Sequence, residues 1–206
     1  MRTRVKICGL RHVDDVVAAA KAGADALGFV FYPPSPRAVD IRKAAHLVAQ
    51  VPSFITSVGL FVNASAAEIE QVLQQVPLTL LQFHGDESPD FCQQFDMPWI
   101  KAVRMRPDIN LLQVQDNYHQ ARGLLLDTYK KGTPGGTGAS FDWHAIPADL
   151  RPDIILAGGL DASNIRDAIT QVRPWAVDTS GGVESSKGIK DHARINAFMA
   201  EVRATY

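Results

Sequence analysis

The sequence has little of what marks several common protein classes. Two cysteines, Cys8 and Cys92, are too few for a disulfide framework and form no CxxC pair of the kind that holds structural zinc. There is no excess of positive charge: 21 Lys and Arg stand against 22 Asp and Glu, for a formal net charge of −1. That removes the basic field a nucleic-acid or polyanion binder presents. No apolar run approaches the roughly 20 residues of a bilayer-spanning helix, and the opening MRTRVK has no signal-peptide core. Neither nucleic acid nor membrane is expected as a partner, and the chain reads as reduced and cytoplasmic. With 206 residues, 46% of them hydrophobic, and no visible linker or low-complexity segment, one domain over residues 1–206 is expected.

What the sequence does have is a repeated alternation. Short runs rich in Val, Leu, Ile and Phe occur at 5–7, 26–31, 57–62, 78–83, 99–103, 123–127, 153–157 and 175–178. Continuous apolar runs of this length suit parallel strands covered on both faces. Segments of helical period lie between them, at 12–23, 41–50, 65–76, 88–95, 162–172 and 192–204. Asn63 or Ser65, Ser88, and Asp161 or Ser163 stand where N-caps belong. After the sixth run, KKGTPGGTGASFDWHAI reads mostly as loop. About eight strand–helix units in some 200 residues fit a (β/α)8 TIM barrel. A doubly wound open sheet is the competing architecture, but a nucleotide-binding version would carry GxGxxG after its first strand, where this chain has KICGL.

In a barrel, the carboxyl ends of the strands build the active site. Polar residues gather at those ends here: Cys8, Arg37 in YPPSPR, Asn63, His84, Arg104, Asp127, then Gly158 and Gly159, then Asp178, Ser180, Gly181 and Gly182. Paired glycines after the last two strands (AGGL and SGG) let backbone N–H groups approach an anion, and two such pairs on adjacent strands favour phosphate over simple turns. Cys8 and Asp127, on strands one and six, face each other across the expected mouth and can divide a proton transfer between them. Asp127 leaves an apolar strand for a partly desolvated mouth, which suits it to acid work. A lone cysteine is most often a packing residue. Cys8 differs in ending a strand, with Gly9 after it and Lys6 two residues before, whereas Cys92, inside SPDFCQQF, fits the packing role. Lys6 either lowers the thiol pKa or holds the rim together. A zinc site from Cys8, His84 and Asp127 is weak for want of an HxxxH or CxxC pair, and His84 is expected to contact substrate or orient the rim.

Together KICGL, ADALGFVFYPPSPRAV, GLFVN, LLQFHGDE, LLLDTY, GGTGASFDW, LAGGL and AVDTSGGVESSKGIKD resemble the phosphoribosylanthranilate isomerases, nearly end to end. The resemblance implies a cofactor-free barrel enzyme of tryptophan biosynthesis, with Cys8 as general base, Asp127 as general acid and Arg37 against the anthranilate carboxylate. The implied reaction is an Amadori rearrangement of a small phosphosugar-anthranilate. Where the family commonly has a further Ser or other polar residue in the strand-eight loop, this chain has Gly181, so backbone contacts to the phosphate are the ones expected to persist.

Other functions fit less well. A histidine-pathway aminoaldose isomerase would use two aspartates, and Cys8 argues against it. An indole-glycerol-phosphate synthase would want a lysine acid and a longer N-terminal extension. A non-catalytic phosphate-ligand binder needs no thiol facing an acid. The rim loops and outer helices suit a monomer or a dimer equally.

Overall fold

Eight parallel strands pair in chain order and close on themselves: β1 (Arg4–Cys8), β2 (Ala26–Phe31), β3 (Thr56–Phe61), β4 (Leu80–Phe83), β5 (Trp99–Met105), β6 (Leu124–Thr128), β7 (Ile155–Leu156) and β8 (Ala176–Thr179), with β8 returning to β1. The expected (β/α)8 barrel is the observed one. The computed structural model describes residues 2–128 and 141–206. Among the described residues no helix is long and apolar enough to cross a membrane.

The outer layer holds α1 (Val13–Lys21), α2 (Ile41–Val48), α3 (Ala66–Leu73), α4 (Pro89–Gln93), α5 (Leu111–Asn117), α6 (Ile165–Val172) and α7 (His192–Arg203). The caps at Ser65 and Ser88 form as expected, Ser65 within a reciprocal capping box with Glu68. The expectation for the helix after strand seven needs correction. That helix starts at Ile165 behind Asn164, which makes no side-chain cap, while the Asp161 carboxylate accepts from the Ser163 backbone and closes a turn ahead of it. The α5 helix was not anticipated, because LLQVQDN spans only two turns and shows too little period to stand out. The loop after strand six contains 3-10 segments at Trp143–Ala145 and Ala148–Asp153, and its GGTGAS portion lies outside the described residues.

Strand alternation decides which side chains reach the barrel axis. Ile7, Phe83, Leu126 and Val177 point outward into the layer under the helices. Leu80, Ile100, Ala102, Leu125, Ile155 and Ala157 fill the barrel interior, and Cys8, Val30, Leu60, Tyr32 and Val62 form an apolar layer toward the mouth. Because the period is two, Cys8, His84, Asp127 and Asp178 all fall on the inward phase of their strands. A short hairpin of β9 (Glu184–Ser186) and β10 (Ile189–Lys190) follows β8. It was not foreseen from the sequence.

Candidate active site

A cleft of about 430 Å³ opens at the carboxyl ends of the strands, a volume suited to a small organic ligand. Of the polar and glycine residues gathered at the strand ends, Cys8, Arg37, His84, Asp127, Gly158, Gly159, Asp178, Ser180, Gly181 and Gly182 line it. Tyr32, Leu60 and Val62 supply an apolar wall, and Lys187 reaches the rim from the β9–β10 hairpin. Asn63 and Arg104, which also end strands, do not line it. Asn63 ties the β3 and β4 loops together through the Glu87 carboxylate and the Asp86 amide, and Arg104 donates to the His84 carbonyl at 3.2 Å.

Cys8 sits where β1 meets the cleft. The Lys6 ammonium, one turn of the pleat below, pairs with the Asp178 carboxylate on the neighbouring strand at 2.8 Å, with both groups buried. Burial works against the Lys6 charge, but Asp178 and Cys8 outweigh it and keep the ammonium above its usual range. Lys6 therefore does both things left open by the sequence: it fastens β1 to β8, and it acts on the thiol. Burial pushes the Cys8 thiol up, against the pull of Lys6 and Lys190. Opposite the thiol, the β2 position must lack a side chain, since a Cβ on Gly28 would stand 2.7 Å from the Cys8 sulfur. Gly28 was not singled out from the sequence. Its signal was a glycine inside an otherwise bulky apolar run.

Arg37 is held, not loose. Its Nε and Nη2 donate to the two Glu184 oxygens at 2.7 and 2.8 Å, a side-on fork of the strongest kind. Glu184 also receives Lys190 at 2.8 Å, and Lys190 donates to the Ser180 carbonyl at 2.9 Å. The Ser180 hydroxyl donates in turn to the Cys8 carbonyl at 2.9 Å. Burial alone would raise the Glu184 carboxyl, but Arg37 and Lys190 hold it below the usual carboxylate range. This network was missed because Glu184 and Lys190 sit in a segment, GVESSKGIKD, whose charges look solvated until the hairpin folds them under the rim.

On the far side, the Asp127 Oδ1 accepts from the Thr128 N–H at 2.8 Å, and Oδ2 lies 3.2 Å from His84 Nε2 without the alignment of a formed hydrogen bond. The glycine loops close the last side. Gly158 and Gly159 both adopt positive φ, and a Cβ on Gly158 would meet the Thr128 hydroxyl at 2.2 Å. A Cβ on Gly182 would stand 2.0 Å from the Leu160 carbonyl. Gly182 thus lets the loop after β8 close on the loop after β7, and Gly158 lets the β7 loop close on the end of β6. Among the described residues, no group of three His, Cys, Asp or Glu is gathered as metal ligands. A thiol, a carboxyl group and a glycine-built wall around one cleft can move protons on a phosphorylated substrate.

Comparison with known proteins decides the family. A family model for N-(5'-phosphoribosyl)anthranilate (PRA) isomerase matches residues 5–201. The chain belongs to the phosphoribosylanthranilate isomerase family. The N-(5'-phosphoribosyl)anthranilate isomerase of Pseudomonas putida (strain GB-1) is 58% identical over 200 residues, covering 97% of each chain. That of Pseudomonas aeruginosa (strain UCBPP-PA14) is 56% identical over 201 residues, covering 98% of this chain and 95% of the relative. Among solved structures, the phosphoribosyl anthranilate isomerase of Thermotoga maritima superposes with a TM-score of 0.90 at 36% identity, covering 98% of this chain and 99% of that one. A phosphoribosyl anthranilate isomerase crystallised with reduced 1-(o-carboxyphenylamino)-1-deoxyribulose 5-phosphate superposes with a TM-score of 0.87 at 36% identity, with the same coverage. As a phosphoribosylanthranilate isomerase, the chain is an enzyme of tryptophan biosynthesis.

Proposed function

We propose that the chain rearranges N-(5'-phosphoribosyl)anthranilate to 1-(2-carboxyphenylamino)-1-deoxyribulose 5-phosphate, with Asp127 as general acid and Cys8 as general base. Asp127 delivers a proton to the ribose ring oxygen as the C1′–O bond breaks and the nitrogen lone pair forms a C=N bond. Cys8 then removes the C2′ proton, and the released electron pair forms the C1′=C2′ bond of an enolamine as the C=N π pair returns to nitrogen. Return of a proton to C1′ leaves the ketone at C2′. Such proton transfers by positioned groups contribute roughly 10²–10⁴-fold each. The observation that carries the reading is that Cys8 and Asp127, at positions 8 and 127 of a chain in this family, line a single cleft.

The AGGL and SGG loops take the phosphate through their backbone. Arg37 takes the anthranilate carboxylate. Its side-on edge is committed to Glu184, so the end-on edge, Nη1 with the second hydrogen of Nη2, is the one that meets the substrate. His84, Asp178 and Ser180 complete the rim. A base that must cycle as a thiol suits a reducing, cytoplasmic setting, and both cysteines are free. The test is turnover of phosphoribosylanthranilate followed by anthranilate fluorescence, which should change continuously as the sugar rearranges. No change over the uncatalysed rate would sink the reading.

A further inference from the structure

Gln82 occupies an unexpected place. It lies on the inward phase of β4, fully buried, in register with Leu60 and Ile100 and next to the apolar filling of the barrel. A side-chain amide there is a poor filler, and its Oε1 has no hydrogen-bond partner among the described residues. An unmet buried acceptor costs stability that an apolar residue of similar size would not. What the amide does make is one contact. Its Nε2 lies 3.2 Å from His84 Nδ1, two residues along the same strand, and the other ring nitrogen, Nε2, faces Asp127 Oδ2 at 3.2 Å.

We infer that Gln82 is a positioning residue that acts through His84 on the Asp127 carboxyl group. A neutral imidazole carries one ring proton, and the hydrogen bond at one nitrogen decides where it sits. With the Gln82 amide donating to Nδ1, the proton is on Nε2, the nitrogen 3.2 Å from Asp127 Oδ2. Asp127 Oδ1 is already met by the Thr128 N–H. A donor at Oδ2 as well supports the carboxylate that forms when Asp127 gives up its proton, and active-site contacts of this kind often align only when substrate is bound. The other ionic groups facing the pair are Arg104 from β5, on the His84 carbonyl, and Asp178 with its Lys6 partner from β8 and β1. None of these touches Nδ1, so the tautomer falls to Gln82.

The inference rests on the acid role proposed above for Asp127, and the test separates the two. Gln82→Leu should fold, lower kcat by roughly ten- to a hundredfold as the ring loses its orientation, and leave KM within about twofold. Nitrogen NMR of 15N-histidine-labelled protein, with His84 assigned by its absence in His84→Asn, should show the Nε2–H form in the wild type and lose it in Gln82→Leu. Gln82→Glu, which offers only acceptors, should move the proton to Nδ1 and depress kcat likewise, and serves if the leucine variant does not fold. In a His84→Asn background, Gln82→Leu should cost nothing more in kcat. An inactive Asp127→Asn beside variants at Gln82 with unchanged kcat and unchanged His84 tautomer would overturn this inference alone. Near-normal turnover by Asp127→Asn would overturn the acid assignment and this inference with it.

Discussion

The mouth around Cys8 and the wall around Cys92 are built from the same three groups. Each has a buried thiol, a buried lysine and a buried carboxylate: Cys8 with Lys6 and Asp178, Cys92 with Lys101 and Glu87. Their behaviour differs because of how the lysine is used. Lys101 gives its hydrogens to the Gly85 carbonyl at 2.8 Å and to Glu87 at 2.7 Å, and Glu87 in turn receives the Asn63 and Gly85 amides. That lysine fastens two loops and acts on Cys92 only as a distant charge, so burial pushes the Cys92 thiol up to about 12. Around it, Phe91 and Phe95 of the α4 region pack on Phe83 against Trp99. Lys6 instead lies two residues before Cys8 on the same strand and draws the thiol down as a charge, and Cys8 opens on the cleft. Burial of a cysteine says little about its chemistry. What differs is that Cys8 opens on the cleft and Cys92 does not line it.

The sharpest way to break the comparison is to remove each sulfur. Cys8→Ser should keep the fold while kcat falls by roughly 10²–10⁴, since a hydroxyl is far too weak an acid to replace the base; Cys92→Ser should leave kcat unchanged. Near-normal steady-state turnover by Cys8→Ser would put both cysteines in the same packing role. Removing the lysines comes next. Lys6→Met and Lys101→Met each strand a buried carboxylate, so each should lose about 3–5 kcal/mol in urea unfolding. Only the first should alter a thiol that opens on the cleft. Alkylation of Cys8 by iodoacetamide should keep accelerating above about pH 8.5, because burial raises the thiol beyond its ordinary value, and Lys6→Met should move that rise higher. An identical alkylation profile in Lys6→Met would mean that Lys6 is only a rivet, like Lys101.

A smaller effect tests the network that reaches Cys8 from the β9–β10 hairpin. The Glu184 carboxyl is lowered in the folded protein, so its stabilisation is complete above the ordinary glutamate value of about 4.3 and is lost as pH falls through the folded value. Glu184→Gln should therefore be less stable than wild type by about 2–3 kcal/mol at pH 7, and the two unfolding curves should converge in acid. A gap that persisted unchanged to pH 3 would remove the ionic explanation. The smallest effect is the stability cost of Cys92→Ser, roughly 1–3 kcal/mol for a hydroxyl placed among aromatic rings, read as a lower unfolding midpoint at constant slope.

Much of this was legible in the residues themselves. The apolar runs marked every barrel strand, and their ends marked the mouth, because a strand buried on both faces is nearly continuously apolar and gives way where polar chemistry begins. Local caps such as Ser65 with Glu68 were readable for the same reason: partners three residues apart meet wherever a helix starts. Position along the strand also separated Cys8 from Cys92.

Other features depend on contacts between distant segments. Nothing near Arg37 announces Glu184, 147 positions away. Nothing near Lys6 announces Asp178, 172 positions away. Asn63 and Arg104 end strands as Cys8 does, yet they turn to loop and carbonyl contacts. Gln82 looks like one polar letter in LTLLQF until strand pairing places it behind His84. The sequence by itself determined the eightfold alternation, the inward phase of Cys8, His84, Asp127 and Asp178 and the glycines that let loops close. Only the tertiary structure decided which cation meets which anion. Side-chain direction follows from local backbone period, whereas ion-pair partners are chosen by barrel closure, which brings the last strand beside the first.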